Sequence, residues 1–271
     1  MLVPLLYSLG VSFSGWIFTL PNSNKFVGLK NYAGILKSSE FWSSVKVSAL
    51  FAFISVGLEL IIGILAAKTL NRKFIGVKFF RIAILIPMLI TPAAIGMFWR
   101  LLYSEQSGVF NFFLFSLGFS RINWLSVKLA LISVIIIDIW QWTPFIILIV
   151  LAGLLDINLN IIEAAKVDGA GNWKIFRFIE LPHLAPYIII ILFFRITDSF
   201  REFDKIFALT QGGPGNVTTT MSIHTYDTGF KIFEIGKTAA ISWLFAIIII
   251  AIIFPLTYIM YKRIKRETQG F

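Results

Sequence analysis

The sequence predicts an all-α transmembrane protein, a bundle of six apolar helices. Three observations carry that expectation. Of its 271 residues, 58% are apolar and only 14% charged, whereas soluble domains hold roughly half apolar and a quarter charged residues. Six stretches approach the length of a spanning helix, about 20 mostly apolar residues: 1–20, 45–67, 82–103, 127–152, 183–204 and 238–261. Runs such as "FAIIIIAIIF" do not fit the short alternating strands of a β-barrel, the other structure that satisfies its backbone in lipid.

Each element has its own justification. "MLVPLLYSLGVSFSGWIF" is apolar from its first residue, with neither a basic lead nor a small-residue cleavage site, so it reads as a first span and not a signal peptide. The second span contains an isolated Glu59, for which a structural hydrogen bond is expected. Arg72, Lys73, Lys78 and Arg81 lie between the second and third spans. Lys262, Arg263, Lys265 and Arg266 follow the sixth. Basic residues beside spans mark the cytoplasmic side. Both termini and loop 153–182 are then cytoplasmic, and loops 21–44, 104–126 and 205–237 face outward. Lys25, Lys30 and Lys37 in loop 21–44 make the bias moderate. In the last outer loop, Gly212, Gly213, Pro214 and Gly215 of "TQGGPGNVTTT" mark a turn. No soluble domain fits between spans, so residues 1–271 form one membrane domain.

Composition also excludes. A formal charge of +10 fits cytoplasmic flanks better than nucleic acid in so apolar a chain. The absence of cysteine rules out disulfides, thiolate metal sites and a cysteine nucleophile. His183 and His224 are too far apart for a local metal clip. No metal, cofactor or catalytic residue is expected.

The stretch that departs from this apolar pattern is "EAAKVDGAGNWKIFRFIELPHLAP", Glu163 to Pro186. "NIIEAAKV" reads as a short helix, with Ile161, Ile162, Ala165 and Val167 available for one face and Ala164–Ala165 open to close approach. Asp168-Gly169 and Gly171 supply a helix stop, since glycine accepts left-handed angles cheaply. "WKIFRFI" is a second amphipathic piece, and Leu181-Pro182 opens the fifth span, where a first-turn proline is tolerated. Such an insert can pass force from a docked partner into the spans.

This pattern resembles the signature loop of the inner-membrane permeases of ATP-binding-cassette importers: EAA, a glycine a few residues on, then I-x-L-P. The match falls on Glu163, Ala164, Ala165, Asp168, Gly169, Ala170, Phe176, Ile179, Leu181, Pro182 and Pro186. "FVGLKNY", "EFW", "FDKIFALTQGGPG" and "TTTMSIHTY" resemble the carbohydrate-uptake branch, including maltose-type and glycerol-phosphate-type systems. The resemblance covers nearly the whole chain. It implies the MetI-like permease fold, with the 161–171 helix as a coupling helix seated in an ATPase groove. The implied partners are a second, similar permease, two ATPase subunits and an extracytoplasmic solute-binding protein. The implied location is a bacterial or archaeal cytoplasmic membrane. The chain has no G-x-x-x-x-G-K-[ST] phosphate loop, so ATP and Mg are expected on the partner ATPases.

Ionisable residues inside spans are costly and usually face the bundle interior. Asp138, Gln141, Trp142 and Phe145 recur at i, i+3, i+4 and i+7 in the fourth span, and Arg195, Asp198, Ser199 and Glu202 do so in the fifth. Pro144 can bend the fourth span. Polar groups beside an aromatic ring suit a sugar. The resemblance places Gln141, Trp142, Phe145, Arg195, Asp198, Ser199 and Glu202 at or near the substrate path. Two alternatives stand: structural ion pairs such as Arg195–Asp198, and Trp140 and Trp142 as packing or lipid contacts. The expected cargo is a sugar. An anion such as glycerol phosphate is the runner-up if Arg195 faces the path. An ion-coupled secondary transporter using Asp138, Asp198 and Glu202 is a third reading.

Overall fold

The computed structural model describes the backbone of residues 2–72 and 75–269, and their side chains except at 256, 260, 261 and 263–269. Lys73, Arg263, Lys265 and Arg266 of the expected cytoplasmic flanks lie outside the described side chains. The helices in chain order begin with α1 (Leu2–Ser12), α2 (Lys30–Lys37), α3 (Ser39–Leu70), α4 (Val77–Ala83), α5 (Ile86–Leu89), α6 (Pro92–Leu102) and α7 (Val109–Ser116). They continue with α8 (Ala130–Leu155), α9 (Leu159–Val167), α10 (Asn172–Ile175), α11 (Leu181–Arg201), α12 (Asp204–Thr210), α13 (Met221–Tyr226) and α14 (Ile235–Gln269). Single π-helical turns occur at Phe176–Glu180 and Asp227–Lys231.

Among the described residues, four helical segments can cross a membrane by length and composition: Ser39–Leu70, Ala130–Leu155, Asn172–Arg201 and Ile235–Ile259. The stretch 82–103 is broken. Val77–Leu89 and Pro92–Leu102 meet at 95°. Ile90 is extended at φ −85°, ψ 137°, and the proline at 92 disfavours helical angles at Thr91. The stretch 1–20 is helical only over Leu2–Ser12. Beyond it the Asn31 side chain donates to the carbonyls of Ser12 and Ser14 at 2.9 and 2.8 Å, and Ser14 pairs with Phe26. Those bonds hold the chain in a reversal instead of letting the helix run on.

The helix α3 shows why these segments suit lipid. It buries Ser44, Ser48, Ser55 and Glu59 while exposing Phe53, Leu58, Ile61 and Leu65. A water-soluble helix does the reverse.

The chain forms two compact units. One comprises Met1–Ala52, Pro92–Val134 and Thr197–Phe254; the other comprises Phe53–Thr91, Ile135–Ile196 and Pro255–Phe271. In the first unit, Ile35, Phe41, Met221, Ala240 and Ile241 form a buried cluster. The helices α6 and α12 cross closely at Gly96, where a Cβ would stand 2.6 Å from the Lys205 carbonyl oxygen. Only glycine permits that approach. In the second unit, Ala67 and Leu70 of α3 pack with Ile146, Ile147, Val150 and Leu154 of α8 and with Leu184 and Ile191 of α11.

Candidate functional site

Three parts of these helices carry the polar residues singled out above. The first is a buried ionic network within the second unit. Arg195 on α11 donates from Nε to Glu59 Oε2 at 2.8 Å and from Nη2 to Glu59 Oε1 at 2.9 Å. The same Nη2 donates to Asp138 Oδ2 at 3.0 Å. Three helices are thereby joined by one guanidinium that is 1% exposed. The two parallel bonds to Glu59 match the planar fork of arginine, and charge-assisted bonds of this kind are the strong ones. The guanidinium also lies over the Trp142 ring, 4.8 Å from its centroid. Trp142 meets Phe145 edge-on at 6.3 Å. Gln141 Nε2 donates to the Ile90 carbonyl at 3.2 Å, where the broken segment leaves a non-helical acceptor. Trp142 Nε1 is buried without a hydrogen-bond partner among the described residues.

The second part lies in the first unit, where α11 ends. Asp198 is exposed and is not one of the carboxylates that hold Arg195. Ser199 is buried, and its hydroxyl makes no hydrogen bond among the described residues. Glu202 Oε2 lies 3.4 Å from Lys205 Nζ, and Glu202 Oε1 accepts from the Lys205 backbone N–H at 3.3 Å. Lys205 is fully buried.

The third part is the insert, in the second unit. Asn158 caps α9, its side chain accepting from Asn160 N–H at 3.0 Å. The C-terminus closes in a Schellman motif: Gly169 takes φ +78°, the Ala170 N–H reaches the Ala165 carbonyl at 2.9 Å, and the Gly169 N–H reaches the Lys166 carbonyl at 3.0 Å. Glu163, Ala164, Asp168 and Gly169 are exposed, and Val167 is 87% exposed. Ile162 turns the other way and packs with Ile179 against the α3–α8–α11 core. Lys68, near the end of α3, pairs with Glu180 at 2.8 Å and lies 4.3 Å from the Phe176 ring centroid. Tyr187 OH donates to Asp156 Oδ2 at 3.2 Å. The insert is thus rooted on three long helices and free on its other side.

Among the described residues, no group of three or more His, Cys, Asp or Glu side chains is arranged to hold a metal ion.

The family described as "Binding-protein-dependent transport system inner membrane component" matches residues 59–269, which include the insert and all but the first part of the chain. The chain belongs to this family. It is a permease, a transport component and not an enzyme, and it is embedded in a membrane. Among its relatives, "Probable ABC transporter permease protein y4oQ" of Sinorhizobium fredii is 51% identical, over 96% of this chain and 84% of that one. "Trehalose/maltose transport system permease protein MalF" of Thermococcus litoralis is 35% identical, over 98% of this chain and 90% of that one. In a solved bacterial alginate ABC transporter in complex with a periplasmic protein, one chain matches with TM-score 0.82 at 21% identity, covering 97% of this chain and 88% of that one. That likeness establishes the MetI-like fold.

Sequence reasoning did not foresee some of the permease's residue partnerships. Glu59 and Arg195 stand 136 positions apart, and helical spacing cannot pair residues on different helices. The available signal was cost: a lone carboxylate and a lone guanidinium in apolar spans each need a counter-charge. The Lys68–Glu180 pair was equally hidden.

Proposed function

We propose that this chain is a permease subunit of an ATP-driven, binding-protein-dependent importer of a sugar, with an oligosaccharide as its solute. The observation that carries the mechanism is the insert, a capped helix that offers Glu163, Ala164, Asp168 and Gly169 outward, with Ala165 and Ala170 half-buried beside them, while its root grips α3, α8 and α11. In this reading the insert and both termini face the cytoplasm of a bacterial or archaeal cell. One of two ATPase subunits seats on α9, a second, similar permease completes the path, and a solute-binding protein delivers sugar from outside. ATP and Mg are handled by the ATPases. Their closure pushes α9, and the displacement passes into the three helices on which it is rooted; hydrolysis resets it.

The solute path in this reading runs along the polar positions of spans four and five. Trp142 Nε1 and Ser199 Oγ, each buried without a hydrogen-bond partner, and exposed Asp198 retain capacity for a solute. Gln141, Phe145 and Glu202 shape the same faces. Arg195 borders the path without serving the solute, since its guanidinium is already held by Glu59 and Asp138. That engagement supports a neutral sugar over glycerol phosphate. The relative named for trehalose and maltose supports the same choice. Family membership favours this machine over an ion-coupled secondary carrier.

The test is to purify the complex with its binding protein and measure stimulated ATPase activity against a panel of oligosaccharides, with glycerol phosphate beside them. Stimulation by a sugar is expected; stimulation by the phosphate ester alone contradicts the reading. Glu163→Lys should leave the chain inserted while lowering uptake per ATP hydrolysed. Unchanged uptake and ATPase assembly in that variant would remove α9 from the coupling step.

A further inference from the structure

Within the first unit, α6, the stretches on either side of α7, and α12 line an open groove of about 680 Å³. That volume falls within the roughly 300–1,000 Å³ of small-molecule sites. Neither the path residues above nor the coupling insert accounts for it.

Its chemistry is specific. Arg100, Glu105, Asn123, Asp204 and Gln211 line it. All are exposed, and their side chains take part in no hydrogen bond or ion pair among the described residues. Phe203 and Phe207 line it too, stacked at 4.9 Å with their planes 20° apart. An apolar occupant such as an acyl chain would cover five polar groups and satisfy none, at a cost for each. A strongly charged occupant would meet both signs at once. A neutral molecule rich in hydroxyls, with an apolar ring face, answers the whole set: carboxylates and amides accept, guanidinium and amides donate, and the phenyl rings cover carbon.

The walls are also built to hold shape. The close crossing at Gly96 fixes α12 on α6, with Lys205 buried beneath it. Tyr226 packs on Phe203 and Phe207 at 5.1 Å each. Tyr103, at the other wall, belongs to an aromatic group with Trp99, Phe110 and Trp124. Aromatic walls that are already packed lose less entropy on binding.

We propose that this groove is a saccharide-receiving site, a second place of contact between the permease and its solute. It rests on the sugar-import reading and adds to it a site at α12, which follows the fifth span in the chain. The cysteine-free sequence makes a clean test. Single cysteines are placed at Asn123 and Gln211 in the assembled complex. Their reaction with a membrane-impermeant thiol reagent is timed with and without trehalose, maltose, maltotriose or raffinose, and uptake of the same sugars by the parent complex is measured in parallel. A transported sugar is expected to slow labelling at both positions several-fold, and Asp204→Asn is expected to raise the sugar concentration for half-maximal uptake about tenfold, the effect of one lost hydrogen bond. Uptake without protection overturns the groove assignment and leaves the sugar reading standing. Protection by the sugar-free binding protein, and not by sugar, makes the groove a protein dock and also overturns it. No uptake of any sugar in the panel overturns the sugar reading and the groove's occupant with it.

Discussion

Two sets of charged residues in this permease live on opposite terms. Glu59, Asp138 and Arg195 are withdrawn from solvent and bonded to one another. Arg100, Glu105 and Asp204 are exposed around a groove, and their side chains are bonded to nothing among the described residues. Charge inside a membrane protein is therefore no guide to solute contact by itself. What separates the sets is whether their bonding capacity is already used. A guanidinium holding two carboxylates at 2.8 to 3.0 Å has little left to offer a solute, whereas an exposed carboxylate beside stacked rings still has all of its capacity.

The largest effect is expected at Arg195. Arg195→Ala removes the cation that buried Glu59 and Asp138 share, and removing one partner of a buried pair costs about 3–5 kcal/mol. The expected result is loss of most assembled complex, read by size-exclusion chromatography. If instead the variant assembles normally and loses only solute affinity, Arg195 is a ligand residue and the distinction fails. Gly96→Val should come next. Its side chain would press on the Lys205 carbonyl and part α6 from α12, and overpacking of this kind costs roughly 1–3 kcal/mol. A lowered unfolding temperature together with slower sugar uptake is expected, and an unchanged unfolding temperature would mean that the crossing is looser than described.

Two smaller effects sharpen the gradient. Lys68 and Glu180 form a pair of intermediate exposure, 28% and 13%. Lys68→Ala should cost about 1 kcal/mol or less after solvent screening, a shift of a few degrees in thermal unfolding; a loss as large as that of Arg195→Ala would show that exposure is not the controlling variable. Asp204→Asn should change stability by no more than about 0.5 kcal/mol, its consequence appearing in sugar affinity alone. A marked fall in unfolding temperature would turn Asp204 from an available group into a structural one.

What could be read from the sequence divides along the same line. Apolar runs are local, and the stretches 45–67, 127–152, 183–204 and 238–261 overlap α3, α8, α11 and α14. The insert was legible because its motif is contiguous: Asp168-Gly169 announces the left-handed stop that closes α9. Breaks were harder. Pro92 was visible, yet an apolar run through it reads as one span until Ile90 is seen to be extended. Partnerships were illegible, because helical spacing puts residues on a face without saying which helix that face meets. That is why Arg195 and Asp198, three residues apart, looked like a pair, while the guanidinium turns to Glu59 and Asp138. The groove escaped for a different reason: α12 is seven residues long and sits in a stretch that reads as loop.

On the proposed function, the Glu59–Asp138–Arg195 network holds helices together and does not touch the solute. Replacing all three residues at once, Glu59→Met, Asp138→Leu and Arg195→Met, removes the cation together with the two carboxylates that it holds. Such replacements of buried ionic groups are often neutral or stabilising when the volume is kept. The measurement is the sugar concentration for half-maximal uptake by the triple variant, with assembly as its control. Assembly is expected to recover relative to Arg195→Ala, and this concentration to stay within about twofold of the parent value, a difference under about 0.5 kcal/mol. Recovered assembly with a rise of about tenfold or more would contradict that expectation and return Arg195 to the solute.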